Sequence, residues 1–360
     1  MTGLGRRHPQ GYLPGLPGLL GSLALAVLAM GLDGKVTSSV FAQDADSRIQ
    51  RLGSIQDGEI SESSGLAAGP LKDSYWTIND SGDGAKLYLL RDSGKRLATF
   101  TLRDTRNVDW ECMARFRLGN VSWLVIGDVG DNARNRKSCQ LYFVREPRAN
   151  EIAQRTRPLN AFKYEFVYQL DNQQPSSAVG QPVQPPILGT PGAPGRISLD
   201  CEAMSVDTRA NEIWLVEKIF ITDRRKLEPR VFALPLPVKS LQRFNPRAVQ
   251  ARPRRTISKQ PAKTELPAAR MIGEFPVRNV TGMAFSPDGK KLIIRNYLNA
   301  HLYRLRVGDS WRKTLQTVRP EVVTLPLQRQ GEAVCFTPDS KALVLTSEVE
   351  GQPIWRVQLD

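Results

Sequence analysis

Histidine is nearly missing from this chain. Its 360 residues hold two, and His8 falls in a stretch that reads as a leader, so only His301 is left to the mature protein. That excludes Ser-His-Asp triads, His-rich metal sites and phosphohistidine chemistry unless His301 carries them alone. Cysteine is scarce as well. Cys112, Cys139, Cys201 and Cys335 show no CxxC spacing, which argues against a structural zinc site. Four cysteines suit an oxidising compartment and allow three pairings. Two of them lie in apolar strand patterns, where a small buried thiol is equally ordinary. Convincing amphipathic helices are lacking, and so are long apolar runs beyond the N-terminus, which predicts no transmembrane span in the mature chain.

The N-terminus is the exception. Arg6 and Arg7 open it, no Asp, Glu, Lys or Arg occurs from His8 to Leu32, and Val40 and Ala42 supply residues acceptable at −3 and −1. This is the pattern of an export signal over 1–42, cleaved near Ala42. An extracytoplasmic protein, periplasmic or secreted, is expected, with residues 43–360 as a single domain.

Acidic charge is in deficit, but only locally. The formal net charge is +14, and losing the leader's three basic and one acidic residue leaves +12. Residues 224–270 carry 13 Lys/Arg against Glu228 and Glu265, so the rest of the mature chain is close to neutral. The prolines and weak periodicity there read as an exposed insertion over 224–268. A second insertion, 172–196, is uncharged for most of its length and rich in proline. The basic stretch is a solvated loop or a contact for an envelope polyanion such as lipid head groups or acidic polysaccharide. A nucleic acid is disfavoured, because no aromatic platform interleaves the charges.

What the chain does have is repetition. Five segments share one order: a polar or acidic entry, a short apolar strand, a turn, a strongly apolar strand, and a third strand bearing an aromatic. They are ESSGLAAG–SYWTINDSGD–KLYLLR, DWECMARF–SWLVIGDVGDN–QLYFVREP, DCEAMSVD–EIWLVEK–RVFALPLP, NVTGMAFSPDGKKLIIRNY–HLYRLR and GEAVCFTPDSKALVLTSE–PIWRVQL. LATFTL, FKYEFVYQL, ARMIGEF and EVVTLPL supply outer strands, and the SPDGK and TPDSK turns mark hairpins. Such units in a ring make an all-β β-propeller of about five four-stranded blades, with a sixth inside an insertion as the alternative. The last repeat stops after three strands, so SRIQRLGSI near residue 47 is expected to close the ring.

In a propeller the first strand of each blade lines the channel. Glu62, Glu111, Glu202 and Glu332 are therefore expected to converge from four blades, with Asp109 and Asp200 beside two of them. Val280-Thr281 stands where the fourth unit lacks an acid. The alternative is that each Glu caps amides at its own blade entry. A second ring is expected from the ends of the second strands: Asp80, Asp128 with Asp131 and Asn132, Glu217-Lys218, Arg295 with Tyr297, and Glu348. NDSGDG has Leu90 where an EF-hand needs its bidentate Glu, so that motif is excluded.

ESSGLA, WTINDSGD, DWE, GDVGDN and DCEAM resemble exported bacterial β-propellers of the phytase-like, or esterase-like phytase, group and the related SdiA-regulated propellers. The likeness covers roughly residues 52–147 and 198–359 and omits the insertions. It implies calcium on channel carboxylates and hydrolysis of phosphate monoesters at the channel mouth. Carried onto this chain, the metal set is Glu62, Asp109, Glu111, Asp200, Glu202 and Glu332. Lys218 and Arg295 would neutralise developing charge, Tyr297 would orient the leaving oxygen, and Asp80, Asp128, Asp131, Asn132, Glu217 and Glu348 would contact ligand. Three readings follow: a monomeric calcium-binding propeller holding an anionic, phosphorylated ligand, a calcium-dependent phosphate-ester hydrolase, or an envelope scaffold that uses its basic insertion. The first two predict that Arg295→Ala removes affinity or activity and leaves the fold intact.

Overall fold

The computed structural model describes residues 47–154, 156–170, 195–220, 228–246 and 265–360. The leader, nearly all of the 172–196 insertion and the middle of the basic insertion lie outside them. Five units follow in chain order. The first is β2 (Ser63–Ala68), β3 (Ser74–Asn79), β4 (Lys86–Arg91) and β5 (Arg96–Leu102). The second is β6 (Trp110–Leu118), β7 (Val121–Asp128), β8 (Cys139–Arg145) and β10 (Phe162–Gln169). The third is β12 (Cys201–Asp207), β13 (Glu212–Glu217), β14 (Arg230–Pro235) and β15 (Ala268–Glu274). The fourth is β16 (Val280–Phe285), β17 (Lys291–Asn296), β18 (Asn299–Arg304) and β19 (Glu321–Thr324). The fifth is β20 (Gly331–Phe336), β21 (Ala342–Ser347) and β22 (Pro353–Gln358), completed by β1 (Ile49–Ser54).

Each unit is antiparallel in the order inner to outer. Short additions decorate the rim: β9 (Thr156–Leu159) runs parallel to β5, β11 (Arg196–Ile197) pairs with β10, and β10 meets β15 in parallel. The inner strands close on themselves, with β2 against β6, β6 against β12, β12 against β16, β16 against β20, and β20 against β2. This is a β-propeller, and β1 closes it by pairing with β22 from Ile49↔Val357 to Ser54↔Pro353.

The amino-acid pattern explains the ring. The inner strands SSGLAA, CEAMSVD and GEAVCF are buried at every position, and their Gly, Ala and Ser let backbones crowd the axis. The apolar residues fall into five clusters, each shared by two neighbouring units and the last joining the fifth unit to the first. A unit alone leaves both of its faces uncovered, so the ring as a whole buries them. All four cysteines are buried and free.

Two expectations need correcting. The range read as insertion, 224–268, contains β14 and a helix, α2 (Val238–Arg243), whose Leu241 is buried. Val231, Phe232 and Leu234 are buried in β14, so packing against β13 and β15 outweighs the basic composition around them. Helices are also present, and those that lie within the described residues are short: α1 (Ala149–Ile152), α2 and α3 (Trp311–Thr317). In α3 the Ser310 hydroxyl accepts from the Lys313 amide at 3.2 Å while Trp311 and Leu315 are buried. Among the described residues no helix is long and apolar enough to cross a membrane.

Candidate metal and ligand site at the channel mouth

Every inner strand breaks register near its start. The irregularity falls on Ser64 in β2, Glu111 in β6, Glu202 in β12, Thr281 in β16 and Glu332 in β20. A bulge places an extra residue on one strand and re-aims its side chain. Here the five re-aimed residues occupy equivalent places in the five units described above. Ser64 and Thr281 donate their hydroxyls to the next blade, to Glu111 O at 2.8 Å and Gly331 O at 3.0 Å. The three glutamates are buried together, and one carboxylate oxygen of each lies within 4.8 Å of the other two.

Two residues upstream stand Glu62, Asp109, Asp200, Asn279 and Gln330. The carbonyls of Glu62, Asp109, Asp200 and Gln330 receive the amides of Asp80, Val129, Lys218 and Glu348. This corrects the place of Glu62, which is equivalent to Asp109 and Asp200 rather than to the inner glutamates. It is exposed on the rim and bridges to Glu348 through its backbone.

The same registers sort the second ring. Asn79, Asp128, Glu217, Asn296 and Ser347 pair with the inner strands, and the residues that follow them are Asp80, Val129, Lys218, Tyr297 and Glu348. Asp80 joins Asp109 and Glu111 in a second triad of carboxylate oxygens within 4.8 Å. Glu348 stands close enough to Glu332 for that carboxylate to oppose its ionisation. Lys218 Nζ lies 2.8 Å from Glu202 Oε1 and 3.8 Å from Glu332 Oε1. The Tyr297 hydroxyl donates to Glu332 at 3.1 Å. The Phe220 ring, half exposed, lies 5.4 Å from the Lys218 ammonium, and the Tyr297 ring lies 5.7 Å from it.

Three expected ligand contacts, and the expected charge-neutralising Arg295, make their contacts elsewhere. Asp128 is fully buried against Arg136 at 2.8 Å. Asp131 accepts from the Asn135 and Arg136 amides and from the Ser198 hydroxyl, so it ties a loop. Its own amide donates to Asp200 at 2.9 Å. Glu217 is held by Arg230 at 2.7 Å and Arg134 at 3.2 Å. Arg295 is fully buried in the seam between the fourth and fifth units, donating to Ala333 O at 3.1 Å, Gln328 Oε1 at 3.2 Å and Asn296 O at 3.3 Å. Asn132 is exposed beside the mouth loop.

Electrostatics follow from this crowding. Burial pushes Asp109 up to about 6, with Asp200 adding repulsion, and pushes Asp80 up to about 7, with Asp109 and Glu332 adding theirs. Glu202 rises to about 8 through burial, despite the pull of Lys218, and Glu348 to about 10 through burial and Glu332. Glu111 is held well above the usual carboxylate range by burial and by Glu202. Burial pulls Lys218 down, but Glu202 and Glu332 outweigh it and hold the ammonium well above its ordinary value. One ammonium cannot neutralise this many acids.

Gly130 completes the site. A Cβ there would come within 2.5 Å of both Asp109 Oδ2 and Glu111 Oε1, so the glycine leaves the space those carboxylates fill. Asn107 holds the backbone beneath Asp80, donating to Asn79 O and Asp80 O at 3.1 and 2.6 Å. Neither residue was singled out by the sequence, although Gly130 lies within the GDVGDN run.

No family model matches this chain, and no curated protein matches it. Solved structures do. A glucose dehydrogenase shares 13% identity at a TM-score of 0.44, over 87% of this chain and 99% of its own. A glucose dehydrogenase-type candidate oxidoreductase of Thermus thermophilus shares 13% at 0.40, over 86% and 99%. A candidate 6-phosphogluconolactonase of Bacteroides uniformis shares 12% at 0.35, over 83% and 68%. Likeness at this level carries no chemistry to this chain.

Proposed function

We propose that the channel mouth is a calcium site that presents the ion to an anionic, phosphorylated ligand, and that binding rather than turnover is its main role. The observation that carries this is Glu111. Its side chain is almost wholly buried, belongs to both carboxylate triads, and has no hydrogen bond or ion pair of its own among the described residues. A buried carboxylate without a partner is costly unless a cation or a proton satisfies it. The donor set fits a hard cation, being oxygen throughout, and Gly130 provides the room in which Asp109 and Glu111 approach each other.

Asp80, Asp109 and Glu111 would hold the ion. Bound there, calcium supplies charge neutralisation and a polarising contact for an anion's oxygen. The chain's own groups do the rest. Phe220 and Tyr297 stand beside the Lys218 ammonium, and Glu332 orients the Tyr297 hydroxyl. Arg295 is occupied in the seam and Lys218 is paired with Glu202, so among the described groups at the mouth no uncommitted cation meets charge developing in a transition state. That favours binding. The hydrolase reading keeps one point in its favour, the proximity of Lys218 and Tyr297 to the same carboxylates. The leader's pattern supports an extracytoplasmic protein, and the DWE, GDVGDN and DCEAM runs support the phytase-like kind. The scaffold reading turns largely on basic residues outside the described part of the chain.

Calcium titration of the purified mature chain, followed by calorimetry and thermal melting against a chelator control, tests the proposal. Stoichiometric binding with a raised Tm is expected, and Asp109→Asn is expected to weaken it about a hundredfold. No heat of binding at millimolar calcium sinks it. Turnover of para-nitrophenyl phosphate that depends on calcium and is lost in Lys218→Met would instead establish the hydrolase.

Gly130→Ala is a cleaner probe, because the backbone there is not left-handed and the change acts through space alone. The added methyl displaces Asp109 and Glu111 and is expected to cost at least about tenfold in calcium affinity with little loss of metal-free stability. Unchanged affinity in this variant would mean that the ion sits elsewhere.

A further inference from the structure

The two carboxylate triads share Glu111 but differ in what faces them. In the triad of Glu111, Glu202 and Glu332 the Lys218 ammonium is at ion-pair distance from two members, 2.8 Å from Glu202 and 3.8 Å from Glu332. Asp80, Asp109 and Glu111 have no lysine or arginine at that distance among the described residues. Lys218 reaches its place from a fixed point. Its amide donates to Asp200 O at 2.9 Å where β13 ends, and its side chain is almost fully buried beside Phe220 and Tyr297.

We propose that the mouth is built as two adjacent cation positions bridged by Glu111, that Lys218 permanently fills the inner one, and that only the outer one takes a metal ion. The inference rests on the calcium reading above and deepens it, since it fixes how many ions bind and what blocks the second. A tethered ammonium and a divalent ion satisfy the same need of buried carboxylates for positive charge, but not equally. The ammonium is a point charge with three donors, so it fits the single close contact to Glu202 and the longer one to Glu332. It cannot leave when metal is scarce, so the inner triad keeps its order in the metal-free protein. The bridge also makes the two positions interdependent: removing the ammonium frees Glu202 and Glu332 as oxygen donors on the far side of Glu111.

Calorimetry with calcium alone, on the full mature chain, decides this. The wild type is expected to bind one ion. Lys218→Met, which keeps the length of the side chain and removes its charge, is expected to bind two. Adding Glu332→Gln to Lys218→Met is expected to return the count to one. A count of two in the wild type, or of one in a folded Lys218→Met, overturns the inference while leaving the calcium reading standing. A count of zero in the wild type removes both. Should Lys218→Met fail to fold, single variants in the charged background carry the test. Asp109→Asn is then expected to cost about a hundredfold in affinity, and Glu202→Gln less than about a tenth of that loss. The reverse order would place the ion in the inner triad and refute the assignment.

Discussion

Without calcium, the protein is expected to become less stable as pH rises from 5 to 8, and saturating calcium is expected to reverse the slope. Most proteins show no such reversal, so the effect is diagnostic. The sign comes from the buried acids at the mouth. Burial pushes Asp109 up to about 6, Asp80 to about 7 and Glu348 to about 10. Each therefore holds its proton in the folded chain at a pH where the unfolded chain has released it. Stability contributed by a raised acid is complete below the unfolded value, near 4, and is lost as pH climbs through the folded one. His301 works the other way, because burial lowers its value and so favours folding as pH rises, but it is one group against several. A metal-free Tm lower at pH 8 than at pH 5 by roughly 5–10 °C is expected, at about 2–4 °C per kcal/mol for a large domain. Calcium competes with protons for the same oxygens, so its stabilisation grows with pH. A metal-free Tm that rises across this range would mean that the acids are already neutralised, and the mouth would not be a cation site.

The ring and its acids were legible in the sequence because both recur with the blade. Inner strands carry small residues, second strands are uniformly apolar, and an acid before the inner strand repeats in register, so Glu111, Glu202 and Glu332 were found as a set. The bulge was not legible. It re-aims one residue in each inner strand, Ser64 in the first unit, whereas Glu62, two residues earlier, aligns by eye with the inner glutamates but holds the place of Asp109 and Asp200. In the second ring, Asp128 and Glu217 come one residue before Val129 and Lys218 and are paired with Arg136 and Arg230. Composition misled in the basic stretch, where Val231, Phe232 and Leu234 mark a strand that the surrounding arginines conceal. Gly130 escaped notice because a glycine in an Asp/Gly run reads first as a turn former, and only the carboxylates beside it show what its missing side chain is for.

Arg295 shows how far a charged residue at a strand end can differ from its expected role, and its removal should be among the most damaging single changes. The guanidinium is fully buried and its value falls to about 10 through that burial, so it stays charged at neutral pH. It spans the seam between β16–β17 and β20, donating to Ala333 O, Gln328 and Asn296 O. Glycines make its slot: a Cβ at Gly331 would collide with its terminal nitrogen, and one at Gly282 would come within 3.1 Å of its Cγ. Arg295→Ala leaves a cavity between two blades and strips donors from a buried carbonyl and a buried amide oxygen. A loss of about 3–5 kcal/mol is expected by chemical denaturation. Arg295→Lys should recover only part of it, because a lysine keeps the charge but not the fork. Calcium stoichiometry measured on the fraction that remains folded should stay at the wild-type value, since no metal position includes this residue. An Arg295→Ala protein with wild-type stability and no ligand affinity would return the residue to the mouth. The seam, and not the ligand, is where its charge is spent.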